Sequence, residues 1–299
     1  DLSTFFYFLR TTNSYFRDKD LRTLPVSILD DLQPVDIEEY LSFLTYYEKD
    51  GQIYQNHEEG KARKLATLNT FFGYFHKKEM IQKNAPSVVD VPRVKEKNII
   101  RLDANEVAQL IDNIESGEKL TKQQKVWHER NKARDLAIVV TLLGTGVRVT
   151  ELVGLDLSDL DFDNGAMRVI RKGGNEDIVY FGEETEEMLR NYLDERMKMT
   201  PAPGHENALF ISQNNTRITV RSVERLVKKY ASTATVKKIT PHKLRSTYGT
   251  ALYQETGDIY LVADVLGHKN VNTTRKHYAA MKEENKRKAA NIVQLREKE

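Results

Sequence analysis

DLAIVVTLLGTGVRVTELVGL (Asp135–Leu155) is the stretch from which the architecture can be worked outward. Its first part, Asp135–Gly146, is largely apolar and ends on a glycine, so it reads as a buried helix with Gly146 as the stop. Arg148 follows that stop directly and opens a new helical segment. An arginine so placed can present its guanidinium fork to a phosphate while the following helix anchors it. It can equally be a surface charge paired with Glu151, and the stretch alone leaves both readings standing.

Upstream, residues 1–85 read as a helical domain. TFFYFLRTTNSYF (Thr4–Phe16), VDIEEYLSFLTYYEKD (Val35–Asp50) and KARKLATLNTFFGYFHKK (Lys61–Lys78) each carry apolar residues at three-to-four spacing. In the third, Leu65, Leu68, Phe71, Phe72 and Phe75 form an apolar face set against Lys61, Arg63, Lys64, Lys77 and Lys78, which suits a helix packed on one side and facing phosphates on the other. APSVVDVPRVKEKN (Ala85–Asn98) breaks the pattern with Pro86 and Pro92, and residues 86–98 read as a linker. A second domain then spans 99–299. LDANEV (Leu102–Val107) opens it with Asp103 as N-cap and Glu106 at capping-box spacing. A polar stretch around Lys119–Lys132 precedes the apolar helix, and GAMRVIRKGGNEDIVYFG (Gly165–Gly182) is a β-hairpin turning at Lys172–Asn175. Helices are expected at Glu183–Lys198, Thr219–Ser232, Thr240–Glu255 and Asp258–Leu266, with a last one from near Asn272. The fold class is therefore mostly α with a small antiparallel sheet.

Composition narrows the chemistry. The 299 residues contain no cysteine, so disulfides and thiolate metal sites are excluded, and no H-E-x-x-H spacing offers a histidine site. No apolar run suggests a membrane span, residues 1–10 do not read as a signal peptide, and the lack of cysteine fits a reducing compartment, so a cytoplasmic location is the expectation. The net charge of +2 hides an uneven distribution. Residues 1–60 hold 5 lysines and arginines against 12 acids, residues 61–101 hold 10 against 3, and residues 217–246 hold 9 against 1. Basic blocks in different halves point to a polyanion such as nucleic acid, with Arg221 and Lys243 as contact candidates in the second block. Solvated helix faces would give such blocks too.

Three more stretches hold reactive candidates. Lys172 sits beside glycines in a turn that can approach a ligand closely, where a lysine can donate a proton, although a turn lysine on its own is more often simply solvated. In TPHKLRST (Thr240–Thr247), Thr240 is a good N-cap and Pro241 suits the first helical position, so His242 and Arg245 share one face near a helix N-terminus that favours anions, with plain capping and surface charge as the equal alternative. In LGHKNVNTTRKHY (Leu266–Tyr278), His268 follows a helix-ending glycine and Tyr278 closes a basic run. A phenol there needs a base and nearby positive charge to act as a nucleophile.

Taken in order, Arg148, the hairpin Lys172, His242-x-x-Arg245, Leu266-Gly267-His268 and Tyr278 resemble the tyrosine recombinase (integrase) family, and within it the Xer-type recombinases. RNKARDLAIVVTLLGTGVRVTELVGLDL, RVIRKGGN, ITPHKLRST and VLGHKNVNTTRKHY carry the likeness, which extends over nearly the whole chain. The resemblance implies a helical core-binding domain and an α+β catalytic domain clamped on duplex DNA. Tyr278 would attack the scissile phosphate and leave a 3′-phosphotyrosine. Arg148 and Arg245 would hold the non-bridging oxygens, Lys172 would protonate the departing 5′-oxygen, His242 would accept the tyrosine proton, and His268 would hydrogen-bond the phosphate. No cofactor or metal is implied.

The resemblance also implies a homotetramer on DNA, or a heterotetramer with a sister recombinase, with a DNA translocase as a further candidate regulator and the nucleoid as its place. The tail Lys282–Glu299, with Ala289, Ile292, Val293 and Leu295 at helical spacing, would then pack on a neighbouring protomer; an intramolecular last helix is the alternative. The sequence departs from the family at three points. His277 stands nine residues after His268, where many members have the tyrosine, and Tyr278 comes one later. Ser246 replaces a frequent histidine, and Asp177 stands where a basic residue is common. No arm-binding segment precedes the first helix, and the chain opens mid-helix, as a truncated one would. Two rival readings are a type IB topoisomerase, which shares this chemistry, and a catalytically silent DNA-binding protein, against which the complete residue set speaks.

Overall fold

The structure is a computed structural model, and it describes residues 1–17, 23–93, 100–268 and 271. The chain is mostly helical and divides into two compact units, Asp1–Lys97 and Asn98–Glu299.

The first unit comprises α1 (Leu2–Thr12), α2 (Ser14–Arg17), α3 (Pro34–Phe43), a hairpin of β1 (Tyr47–Lys49) and β2 (Gln52–Tyr54), and α4 (Glu58–Lys77). Its core is aromatic. Phe5, Phe8, Tyr40 and Phe72 are buried with Leu65 and Leu68 of α4, and Phe5 meets Tyr40 edge-on at 5.0 Å. The periodicity predicts helix through Asp50, yet α3 stops at Phe43 and the chain turns back at Asp50-Gly51. Both turn residues have positive φ, 54° and 72°, the conformation of a two-residue hairpin turn that Asp-Gly favours. Tyr47 and Tyr54 stack across it at 5.2 Å.

The start of the expected linker also packs. Ala85–Val88 forms a 3-10 turn, and Ala85 and Val89 are buried against the first core. Pro86 sits at the start of that turn, where a missing N–H is harmless.

The second unit is built around α6 (Lys122–Thr145), which packs against α5 (Ala104–Ser116), α8 (Glu183–Arg196) and α10 (Pro241–Thr256). At 1.5 Å per residue it is about 36 Å long. Thr121 and Gln124 form a capping box that carries helix through the stretch expected to be merely polar. The expected Asp103/Glu106 box caps α5 in the same way. Ile138, Val139 and Leu142 are fully enclosed, and Gly146 ends α6 in the left-handed conformation.

After α7 (Val149–Gly154), β3 (Leu160–Asp161), β4 (Ala166–Ile170) and β5 (Glu176–Tyr180) form an antiparallel sheet in the order β3-β4-β5. Arg168 faces Ile178 and Ile170 faces Glu176, which places the turn where the alternation predicts. The sheet buries Met167, Val169 and Val179 against the helices. The unit continues through α9 (Val220–Ala234) and α11 (Ile259–Val265). The last expected helix and the tail from Lys282 lie outside the described residues.

Candidate active site

In the second unit the loop between α6 and α7 and the first turns of α10 meet at the turn that ends α11. Gly146 ends α6, and a Cβ there would lie 2.4 Å from the Tyr248 ring and 2.9 Å from Leu266, so the missing side chain lets α10 and the end of α11 close on the α6 terminus. Arg148 caps the start of α7. Its backbone N–H donates to Glu151 Oε2 at 2.7 Å, its NH1 donates to Oε1 at 2.7 Å, and its NH2 donates to the Gly267 carbonyl at 3.1 Å. Arg245, one turn into α10 and only 4 % exposed, donates NH1 to the Gly146 carbonyl at 2.6 Å and NH2 to the Leu266 carbonyl.

A third guanidinium completes the pattern. Arg171, at the base of the β4–β5 turn, donates NH2 to the Val265 carbonyl at 3.2 Å. The carbonyls of Val265, Leu266 and Gly267 thus each accept from a different arginine: Arg171, Arg245 and Arg148. The last carbonyls of a helix have no partner within it and carry partial negative charge, so guanidinium groups cap them well. Gly267 has a positive φ of 58°, and the turn delivers His268, whose N–H bonds the Ala263 carbonyl at 2.9 Å.

Two carboxylates balance the three guanidiniums. Glu151, with its side chain 2 % exposed, accepts from Arg148 and, at 3.0 Å, from Arg171 NH1. Asp177 accepts Arg171 Nε at 2.9 Å, which gives the acidic residue on this strand a local reason: it neutralises Arg171. Pairing with Glu151, one of the two sequence readings of Arg148, fixes a guanidinium that stays one-third exposed.

Direct bonds therefore join Arg148, Arg245 and the turn before His268. Lys172 enters as the exposed neighbour of Arg171, and His242 lies exposed in the first turn of α10, one turn before Arg245. Tyr278 and His277 lie outside the described residues. The sequence reading did not single out Arg171, and it treated Glu151 only as a rival partner for Arg148. Opposite charges on either side of a glycine turn were the available signal for Arg171 and Asp177. Among the described residues, no group of three or more histidines and carboxylates is placed to hold a metal, and no helix is long and apolar enough to cross a membrane.

The expected DNA-facing cations divide. On α4, Lys77 and Lys78 are exposed, Lys61 pairs with Glu58 at 3.1 Å, and Arg63 pairs with Asp1. Lys64 departs from expectation: it is 7 % exposed and bonds Asp1 at 3.1 Å. Four-residue steps put Lys64, Leu68 and Phe72 on one helix face, so its stem lies in the core while its ammonium reaches a carboxylate. Burial lowers the Lys64 pKa. In the second block Arg217, Lys229 and Lys237 pair with Asp156, Asp135 and Glu106, while Arg221, Arg225 and Lys228 line the exposed face of α9 and Lys243 is half-buried.

The phage integrase family model matches residues 100–285. The tyrosine recombinase XerC of Caldanaerobacter subterraneus subsp. tengcongensis is 31 % identical over 287 residues, covering 92 % of this chain and 74 % of the relative. The tyrosine recombinase XerS of Streptococcus agalactiae serotype III is 39 % identical over 184 residues, covering 60 % and 51 %. Among solved structures, XerA recombinase superposes with a TM-score of 0.53 at 25 % identity, covering 96 % of this chain and 97 % of that one. XerH bound to a palindromic difH substrate, a post-cleavage complex, superposes with a TM-score of 0.68 at 21 % identity, covering 97 % and 79 %. With the arginine-bound turn ahead of His268, these matches establish that the chain belongs to the phage integrase family, as a Xer-type tyrosine recombinase.

Proposed function

We propose that this recombinase cuts and rejoins duplex DNA with Tyr278 as nucleophile and the Arg148–Arg245 pair as its phosphate clamp. One observation carries the reading: the two guanidiniums that would hold the phosphate are bonded to the Gly267 and Leu266 carbonyls, directly before His268, which itself precedes the tyrosine by ten residues. Two pre-set guanidiniums stabilise the charge that develops on the non-bridging oxygens, often the largest catalytic term. Tyr278 Oη attacks phosphorus while the bond to the 5′-oxygen breaks. His242 takes the phenol proton, Lys172 Nζ gives a proton to the departing oxygen, and His268 donates to the phosphate. The phosphotyrosine keeps the energy of the cut bond, so the 5′-hydroxyl of a partner strand can reverse the step without a nucleotide.

Duplex DNA is the partner, and exposed cations on α9 and at the end of α4 suit its phosphates. A homotetramer bridging two sites, or a heterotetramer with a sister recombinase, is the working assembly we propose, acting at the nucleoid in the cytoplasm with a DNA translocase as regulator. The test uses two duplexes carrying the crossover site selected by this protein from a random-sequence library. Exchanged products from both duplexes support recombination. Relaxation of a supercoiled plasmid without exchange points to topoisomerase chemistry, and binding without either points to a silent DNA-binding protein.

A further inference from the structure

We propose that Arg171 is a positioning residue for the proton-donating lysine, tying the turn that carries Lys172 to the helix ends that carry the phosphate clamp. The proposal deepens, and rests on, the reading of Lys172 as general acid.

Arg171 uses three nitrogens on three elements. Nε donates to Asp177 on β5 at 2.9 Å, NH1 to Glu151 on α7 at 3.0 Å, and NH2 to the Val265 carbonyl at the end of α11 at 3.2 Å. Its side chain is only 10 % exposed and Glu151 only 2 %, so the contact is shielded from solvent in a way an ordinary surface ion pair is not. A lysine offers one point charge and cannot span three acceptors in fixed directions.

The same residue closes the turn. The Arg171 N–H donates to the Asn175 carbonyl at 2.8 Å, and its own carbonyl accepts from the Gly174 N–H at 3.0 Å. Beyond this base the turn runs through two glycines. Gly173 and Gly174 adopt positive φ of 103° and 85°, and a Cβ on either would meet nothing within 4 Å. Lys172 is the first residue past the fixed base. Its Cα is therefore set by Arg171, and its flexible stem completes the reach to the 5′-oxygen. Glu151 also holds Arg148, so one buried carboxylate gives the proton donor and the phosphate clamp a common reference point. Small misplacements of a reacting group can cost about 100-fold in rate.

The experiment compares cleavage of a suicide duplex carrying the selected site with oxygen or with sulfur at the 5′-bridging position. Sulfur leaves as a thiolate and needs no general acid. Arg171→Ala is expected to cut the oxygen duplex about 100-fold more slowly than wild type, to return to within a few-fold of it on the sulfur duplex, and to bind DNA unchanged. Lys172→Ala should show the same rescue. Should Arg171→Ala not fold, Arg171→Lys and Asp177→Asn carry the same expectation with a smaller oxygen defect. The proposal is overturned if Lys172→Ala is rescued while the arginine variants are equally slow on both duplexes, or if those variants cut oxygen normally. A Lys172→Ala enzyme that sulfur does not rescue instead removes the general-acid reading itself, and the proposal with it.

Discussion

Arg148 and Glu151 are bonded twice, through the arginine's backbone N–H and through its guanidinium, both at 2.7 Å. The first bond caps α7 and the second aims the side chain, so one carboxylate sets both the helix start and the direction of the Arg148 guanidinium. Because Glu151 also holds Arg171, its loss leaves two guanidiniums close together without their shared counter-charge. Glu151→Ala should destabilise the protein by about 3 kcal/mol, the cost of breaking a buried pair from one side. Glu151→Gln, which keeps the cap acceptor, should cost less stability while slowing cleavage about 100-fold through a misaimed Arg148. Urea unfolding and single-turnover cleavage measure the two effects; equal stability for wild type and Glu151→Ala would refute the shared-anchor account.

Gly146 and Gly154 make a contrasting pair. At Gly146, φ is +63° and a methyl would strike Tyr248 and Leu266, so Gly146→Ala should cost about 3 kcal/mol from left-handed strain and overpacking together. The change would also disturb the carbonyl that Arg245 holds. Gly154 lies within α7 with open space around it, so Gly154→Ala should be neutral or stabilise by about 0.5 kcal/mol. Thermal melts of the two variants compare them directly.

The sequence shows local signals well and distant ones poorly. The Asp103/Glu106 capping box, the Gly146 stop and the Lys172 hairpin turn depend on residues a few positions apart, and all three stand in the structure. The three partners of Arg171 lie 6, 20 and 94 residues away, so no local pattern connects them. Lys64 was legible in principle, since it falls on the stripe of Leu68 and Phe72; its charge masked its position. The strands flanking Asp50-Gly51 are three residues each, too short to show alternation.

A buried chain of polar groups gives the second unit a pH dependence. His128 is fully buried, its Nδ1 lies 3.0 Å from the Tyr230 hydroxyl, and that hydroxyl donates to Asp135 at 3.0 Å. With the hydroxyl proton committed to Asp135, Nδ1–H is the donor, and buried Nε2 has no hydrogen-bond partner among the described residues. Burial foremost holds the His128 pKa below its ordinary value. The unfolded chain therefore binds the proton first, and stability falls as pH drops below about 6.5. His128→Gln keeps a donor without a titrating group, so its unfolding free energy should fall less than that of wild type between pH 7.5 and 5.5. Parallel curves would show that His128 does not govern the acid limb.

DNA affinity separates exposed cations from structural ones. Arg221 lies on the exposed face of α9, so Arg221→Ala should reduce the slope of log affinity against log salt by about 1. Lys64→Met should leave that slope unchanged, because its ammonium is already spent on Asp1. Titrations at several salt concentrations measure both, and a slope lost with Lys64 instead would reverse the assignment.

The central claim is that Tyr278 is the nucleophile served by the Arg148–Arg245 clamp. Its most direct measurement is trapping a covalent protein–DNA adduct on a nicked duplex of the selected site. The account predicts an adduct with wild type, none with Tyr278→Phe, and an adduct still formed by His277→Ala. An adduct that persists in Tyr278→Phe and vanishes in His277→Ala would contradict it.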